Sequence, residues 1–219
     1  MTRCNICGST AFQPAFLGRL SFGLPPECSN CHSVERHRIV HGIYKAVLPL
    51  LSEWRALQFA PDKSVEADGS PNSIPRLMAG KNFIDMADTG LQSESYDLII
   101  SNHVLEHVAD DRAALIELLR VVGESGVVHL CVPSPLARWE TLDWGFPDPG
   151  KNRHYRDYGT DFPIRMLEHI SEAHAIAAVG RDAITGLHDI VYFFSRSIET
   201  LAEMANLWER SYIAVVRFT

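Results

Sequence analysis

Tyr96-Asp97-Leu98-Ile99-Ile100-Ser101-Asn102-His103-Val104-Leu105-Glu106-His107-Val108 is the stretch that decides the fold. Its first half is a near-continuous apolar run, as expected of a strand buried on both faces. It turns polar at Ser101, and Asp110-Asp111 then opens a helix, where acids suit the positive N-terminus. The apolar face of that helix is Leu115, Leu118, Leu119 and Val122. Gly123 and Gly126 punctuate its exit, and Val127 to Val132 forms another buried strand, stopped by Pro133. Strand, helix and strand with continuous apolar strands predict a parallel sheet covered on both faces.

Working towards the N-terminus, Ala56 to Ala60 reads as a short buried strand closed by Pro61. Before it, Val34, Val40, Ile43, Tyr44, Val47 and Leu51 recur at the spacing of a core-facing helix, which predicts a linking helix over 33–54. Residues 1–32 have little apolar pattern and need a staple. Cys4-x2-Cys7 and Cys28-x2-Cys31 supply one: two pairs of thiolates, each on a tight turn, fit the closed shell of a structural Zn²⁺. Cys131 lies alone in an apolar run and is not expected to be a ligand.

Working towards the C-terminus, residues 134–160 read as a long loop rich in Trp, Pro, Tyr and His, and such loops are usually functional. A helix is expected over 161–177. Ala175 to Val179 and Asp189 to Phe194 are candidate strands joined around Thr185-Gly186. The tail, 197–219, is expected to hold an amphipathic helix with a capping box at Thr200 and Glu203. The main domain is then 55–196.

The 219 residues are 46% hydrophobic with a formal net charge of -7. That is enough for one α/β core and a small appendage. An acidic chain has no general pull towards phosphate backbones or anionic lipids, so nucleic acid is disfavoured. No apolar run reaches the roughly 18 residues of a membrane helix. The start lacks the apolar stretch of a secretory signal, and a cytoplasmic location is expected. Composition sets no oligomeric state.

The block Tyr96 to Val108, the Asp110-Asp111 helix and the strand Gly126 to Pro133 resemble the fourth and fifth motifs of class I S-adenosylmethionine-dependent methyltransferases of the type 11 group. The resemblance covers about residues 55–135. It implies a Rossmann-like, doubly wound, mainly parallel sheet with ligands at the carboxyl ends of its strands. Ser101, Asn102 and His103 stand at such an end. The resemblance gives them to the cofactor, along with Asp85-Met86, which is similar to a pair that meets the adenine edge. The first motif departs from the family, because Phe59-Ala60-Pro61-Asp62 carries no Gly-x-Gly. It looks like a Phe-Ala-Pro-Glu/Asp variant of some zinc-ribbon methyltransferases. The stretch up to Asp85 is too short for the usual elements, an abbreviated cofactor-side region. Either Val65 to Asp68 is a second strand with Asp68 on the ribose diol, or residues 71–79 are the only helix and Asp68 is a solvated turn acid.

His103-x2-Glu106-His107 also matches a H-x-x-E-H metalloprotease string, but that chemistry needs both histidines on one helical face, and here the string follows a buried strand at a turn. Some small-RNA and quinone-precursor methyltransferases hold a cation with a related E-x-x-E-H cluster; His103 replaces its first glutamate here, which tells against a cation. On the acceptor side, Trp144 and Tyr155 are expected to exclude water and Arg156 to hold an anionic group. His154 or Tyr158, or else His103, is expected to take a proton. The expected function is methyl transfer to an O or N atom of a small molecule. Alternatives are an RNA or protein methyltransferase that grips its substrate with the ribbon, and a non-catalytic relative that lost the cofactor with its glycines.

Overall fold

In the computed structural model, residues 2–60, 84–133, 135–168 and 170–218 are described. Two short strands, β1 (Phe12–Gln13) and β2 (Glu27–Cys28), pair antiparallel in the N-terminal module. Helix α1 (Glu35–Leu51) follows, then β3 (Ala56–Phe59) and β4 (Tyr96–Asn102). Helix α2 (Asp111–Val121) begins where Asp110 accepts a hydrogen bond from the Ala113 N–H at 2.9 Å. It leads into β5 (Val122–Cys131). Then come β6 (Leu142–Asp148), β7 (His154–Asp157), the short α3 (Phe162–Leu167), β8 (His174–Arg181), β9 (His188–Ser195), α4 (Ile198–Arg210) and β10 (Ala214–Phe218).

The main sheet has the order β10-β8-β9-β5-β4-β3. β3, β4 and β5 run parallel, whereas β9 is antiparallel to β5 and to β8, and β10 is antiparallel to β8. Alternate residues of each strand enter opposite cores. Leu57, Ile99 and Val128 pack with Leu115, Leu118 and Leu119 of α2 and Phe162 of α3. Ala56, Leu98, Ile100 and Val127 pack with Ile39, Ile43 and Val47 of α1 and Met204 and Trp208 of α4. Burial on both faces is why these strands read as unbroken apolar runs. Gly180 marks the closest approach of α1: a Cβ there would stand 2.5 Å from Cγ2 of Ile39.

Three expectations are corrected, and the tail gains a strand. Residues 134–160 are largely ordered, with β6 and β7 forming an antiparallel hairpin whose register slips between Asp143 and Asp148. The expected 161–177 helix ends at Leu167, because Ala175 to Val179 pair between β9 and β10 instead. Helix α4 is capped by Ser197, whose Oγ accepts from the Thr200 N–H at 3.1 Å, one turn before the expected box. The tail returns as β10 and joins the main sheet. The expectations for Pro61, Asp62, Val65 to Asp68 and 71–79 lie outside the described residues.

Candidate functional site at the carboxyl ends of the parallel strands

β3 and β4 end side by side, with Phe59 opposite Ser101. Directly beyond them the backbone turns left-handed at Ala60 (φ 60°) and His103 (φ 54°). Each such non-glycine residue costs on the order of 1 kcal/mol, and strain of this kind gathers at functional sites. Ala60 therefore makes, without glycine, the turn at which the resemblance expects a Gly-rich loop. Ser101 is buried, and its hydroxyl faces the Met86 sulfur at 3.9 Å. Asp85 is exposed, and its carboxylate accepts from the Ala87 N–H at 2.9 Å. Phe59, Met86 and Ser101 thus meet at one end of the sheet.

Asn102 points into the α1 face. Its Oδ1 lies 2.8 Å from His129 Nε2, and His129 Nδ1 lies 2.7 Å from the Tyr44 hydroxyl. An amide oxygen only accepts, so His129 carries its proton on Nε2 and Tyr44 donates to Nδ1. This buried chain fixes Asn102, whose Nδ2 is buried with no hydrogen-bond partner among the described residues. Sequence reasoning missed Tyr44 and His129; the available signal was a histidine in the middle of an apolar strand.

After β4 the chain makes a single 3-10 turn, Leu105–His107, against which β7 packs. Glu106 is 1% exposed and its Oε2 has no hydrogen-bond partner among the described residues. Burial pushes its pKa up to about 7. The His103 Nδ1 stands 3.8 Å from Glu106 Oε1, and the Cys131 sulfur lies 4.0 Å from His103 Nε2. The His107 ring meets the His154 ring edge-on, with centroids 4.7 Å apart. Burial, then the neighbouring His107, holds the His154 pKa below its ordinary value.

Arg156 and Tyr158 are not placed as expected. The guanidinium of Arg156 is 2% exposed and spans Asp143 at 2.7 Å, the Val108 carbonyl at 2.7 Å and the Ala109 carbonyl at 2.6 Å. With these donors engaged, it clamps the hairpin to the turn rather than meeting an acceptor. Tyr158 is buried and donates to Asp111 at 3.0 Å. Burial, then the Asp111 charge, keeps its pKa well above the usual phenol range, so it is no proton acceptor near neutral pH. Trp144 is half-buried and donates to the His154 carbonyl at 2.9 Å, while Tyr155 is half-buried beside Arg156.

In the N-terminal module the sulfurs of Cys4, Cys7, Cys28 and Cys31 lie within 4.8 Å of one another. Cys4 and Cys31 are 3.8 Å apart, and Cys7 and Cys28 are 3.5 Å apart. A tetrahedral zinc with bonds of about 2.3 Å has edges of about 3.8 Å, so the cluster fits that ion. Each pair sits on the same turn: the Gly8 N–H donates to the Cys4 carbonyl at 2.8 Å, and the His32 N–H to the Cys28 carbonyl at 2.9 Å. Gly8 and His32 are both left-handed. The module docks on the main domain through Arg38, which pairs with Asp182 at 2.7 Å with both side chains buried.

The carboxyl end of a parallel ladder such as β3–β4–β5 is where open α/β sheets generally take their ligands. Residues 56–130 match the family model for a methyltransferase domain. No curated protein matches the chain. Similar solved structures include an S-adenosylmethionine-dependent methyltransferase of Thermotoga maritima, described as a possible histamine N-methyltransferase. It is 14% identical with a TM-score of 0.39, over 72% of this chain and 89% of that chain. Another is the 1,6-didemethyltoxoflavin-N1-methyltransferase of Burkholderia thailandensis, 11% identical with a TM-score of 0.40, over 70% of this chain and 77% of that one. No helix among the described residues is long and apolar enough to cross a membrane.

Proposed function

We propose that the protein moves the methyl group of S-adenosylmethionine to an oxygen or nitrogen of a small-molecule acceptor. The observation that carries this is the pair of left-handed turns at Ala60 and His103, set beside each other at the ends of parallel strands. In this reading Phe59, Ala60, Pro61, Asp62, Asp85, Met86, Ser101, Asn102 and His103 hold the cofactor. Trp144 and Tyr155 exclude water on the acceptor side, and His154 or His103 takes the proton. Methyl transfer is a displacement at a sulfonium, so positioning supplies most of the acceleration, and a base helps only a protonated acceptor.

Calorimetric titration with S-adenosylmethionine and with its demethylated product tests the cofactor half. Both should bind the wild type, and Ala60→Val, a β-branched residue that the left-handed turn beyond β3 does not admit, should weaken binding severely. Retained binding in that variant would move the pocket elsewhere. Activity against metabolite extracts and against total RNA or protein tests the acceptor half. One observation favours a macromolecular acceptor: the N-terminal module exposes Phe16, Leu17 and Phe22.

We further propose that Cys4, Cys7, Cys28 and Cys31 hold one structural Zn²⁺. Elemental analysis of protein purified without added metal should show one zinc per chain, and Cys131→Ser should leave that content unchanged. A fully folded module without metal would remove the assignment.

A further inference from the structure

The hairpin brings one residue to the 105–107 turn that no local motif contains. Glu106, His107 and His154 each offer a ligand atom, and these atoms lie within 4.8 Å of one another. The sequence string holds two of the three, and the third arrives across the fold on β7. From this geometry we infer a second cation site, in which Glu106, His107 and His154 take a divalent first-row transition ion. It lies beside the His103 strand end.

Three features of the molecule support the site. The Glu106 carboxylate is 1% exposed and one of its oxygens has no hydrogen-bond partner among the described residues. An unpartnered buried carboxylate is costly, and a cation removes that cost. The two imidazoles stand ring against ring, with centroids 4.7 Å apart, so that a nitrogen of each reaches the same point beside Glu106. The third feature is the Arg156 clamp. His154 and Arg156 alternate on β7 and share a face. The guanidinium is held by the carbonyls of Val108 and Ala109, directly after Glu106-His107, and this seats His154 over them. Two imidazoles and one carboxylate suit zinc, cobalt, iron or manganese better than magnesium or calcium. Three protein ligands leave positions open to an acceptor.

The inference rests on the methyltransferase reading for its chemical use and narrows the acceptor to one bearing a hydroxyl. Bound to the cation, that hydroxyl ionises more readily and gives its proton to His103 or to water, since His154 as a ligand no longer takes it. Its oxygen then bonds to the methyl carbon as the carbon–sulfur bond breaks, with the electron pair remaining on sulfur.

Cobalt(II) titration of protein holding one zinc per chain, at the four cysteines, tests the site. The wild type should take up one equivalent of cobalt without losing zinc and without a sulfur-to-cobalt charge-transfer band, since no thiolate is used. His154→Ala and Glu106→Gln should each weaken uptake by more than about tenfold, since even a residue behind a ligand is worth about 10- to 100-fold. His154 lies on a half-exposed hairpin, so the fold of His154→Ala, checked by its melting curve, should survive. No uptake by the wild type, uptake only with loss of zinc, or equal uptake by a folded His154→Ala would each overturn the site. Cofactor calorimetry on the same samples separates the two readings. Loss of cofactor binding with cobalt uptake intact would sink the methyltransferase reading alone.

Discussion

Asp182→Ala is expected to cost about 3–5 kcal/mol of stability, the range for removing one partner of a buried ion pair. Asp182 is 1% exposed, takes both nitrogens of the Arg38 fork at 2.7 and 3.0 Å, and also accepts from the Thr185 N–H and hydroxyl. Without it the Arg38 guanidinium, itself buried, is left with the Ser33 carbonyl at 2.8 Å. Urea unfolding should therefore show a large drop in midpoint, and the melting temperature should fall by roughly 10 °C. The pH dependence gives a second readout. Burial opposes the Asp182 charge, but Arg38 and Thr185 outweigh it and hold the folded pKa below its ordinary value of 3.8. The contribution is then fully present above the ordinary value and is lost as pH falls through the folded one. Asp182→Ala should remove that part of the acid sensitivity. An unchanged midpoint would mean that the N-terminal module is held by other contacts, such as the Arg19–Glu35 pair at 2.8 Å.

Arg156→Ala is expected to cost about 3 kcal/mol, at the lower end of the same range because Asp143 is partly exposed. The variant leaves the carbonyls of Val108 and Ala109 and the 2.7 Å contact of Asp143 without their donor. Arg156→Lys should recover little, since one ammonium cannot reproduce a planar fork shared between two carbonyls and a carboxylate. The hairpin should become more open, seen as faster hydrogen exchange at its amides, while Asn102 and the carboxyl ends of β3 and β4 stay protected. If Arg156→Ala retains full stability and slow exchange, the hairpin is held by the Tyr158–Asp111 and Trp144–His154 contacts instead.

Both predictions concern buried arginines that a sequence cannot distinguish from surface ones. Arg156 sits among aromatic residues after a buried strand, a setting that reads as a binding loop. Its role is set by where β7 lands, and that depends on pairing with β6 and packing on the 105–107 turn. Tyr158 was misread for the same reason: its phenol meets Asp111, 47 residues away in sequence.

Local chemistry alone determined a good deal. The apolar run Tyr96 to Ile100, the acid-led helix and the run Val127 to Val132 specified buried parallel strands, because a strand covered on both faces has no polar side to show. The two Cys-x2-Cys pairs specified where four sulfurs gather, because ligand spacing on a tight turn is a short-range property. What only the tertiary structure decided are the meetings between distant segments: Asp182 under Arg38, Tyr44 on His129 on Asn102, and His154 against Glu106 and His107. No periodicity encodes them. They exist because the sheet order brings β8, β9 and β5 together beneath α1, and because the hairpin folds back onto the turn after β4.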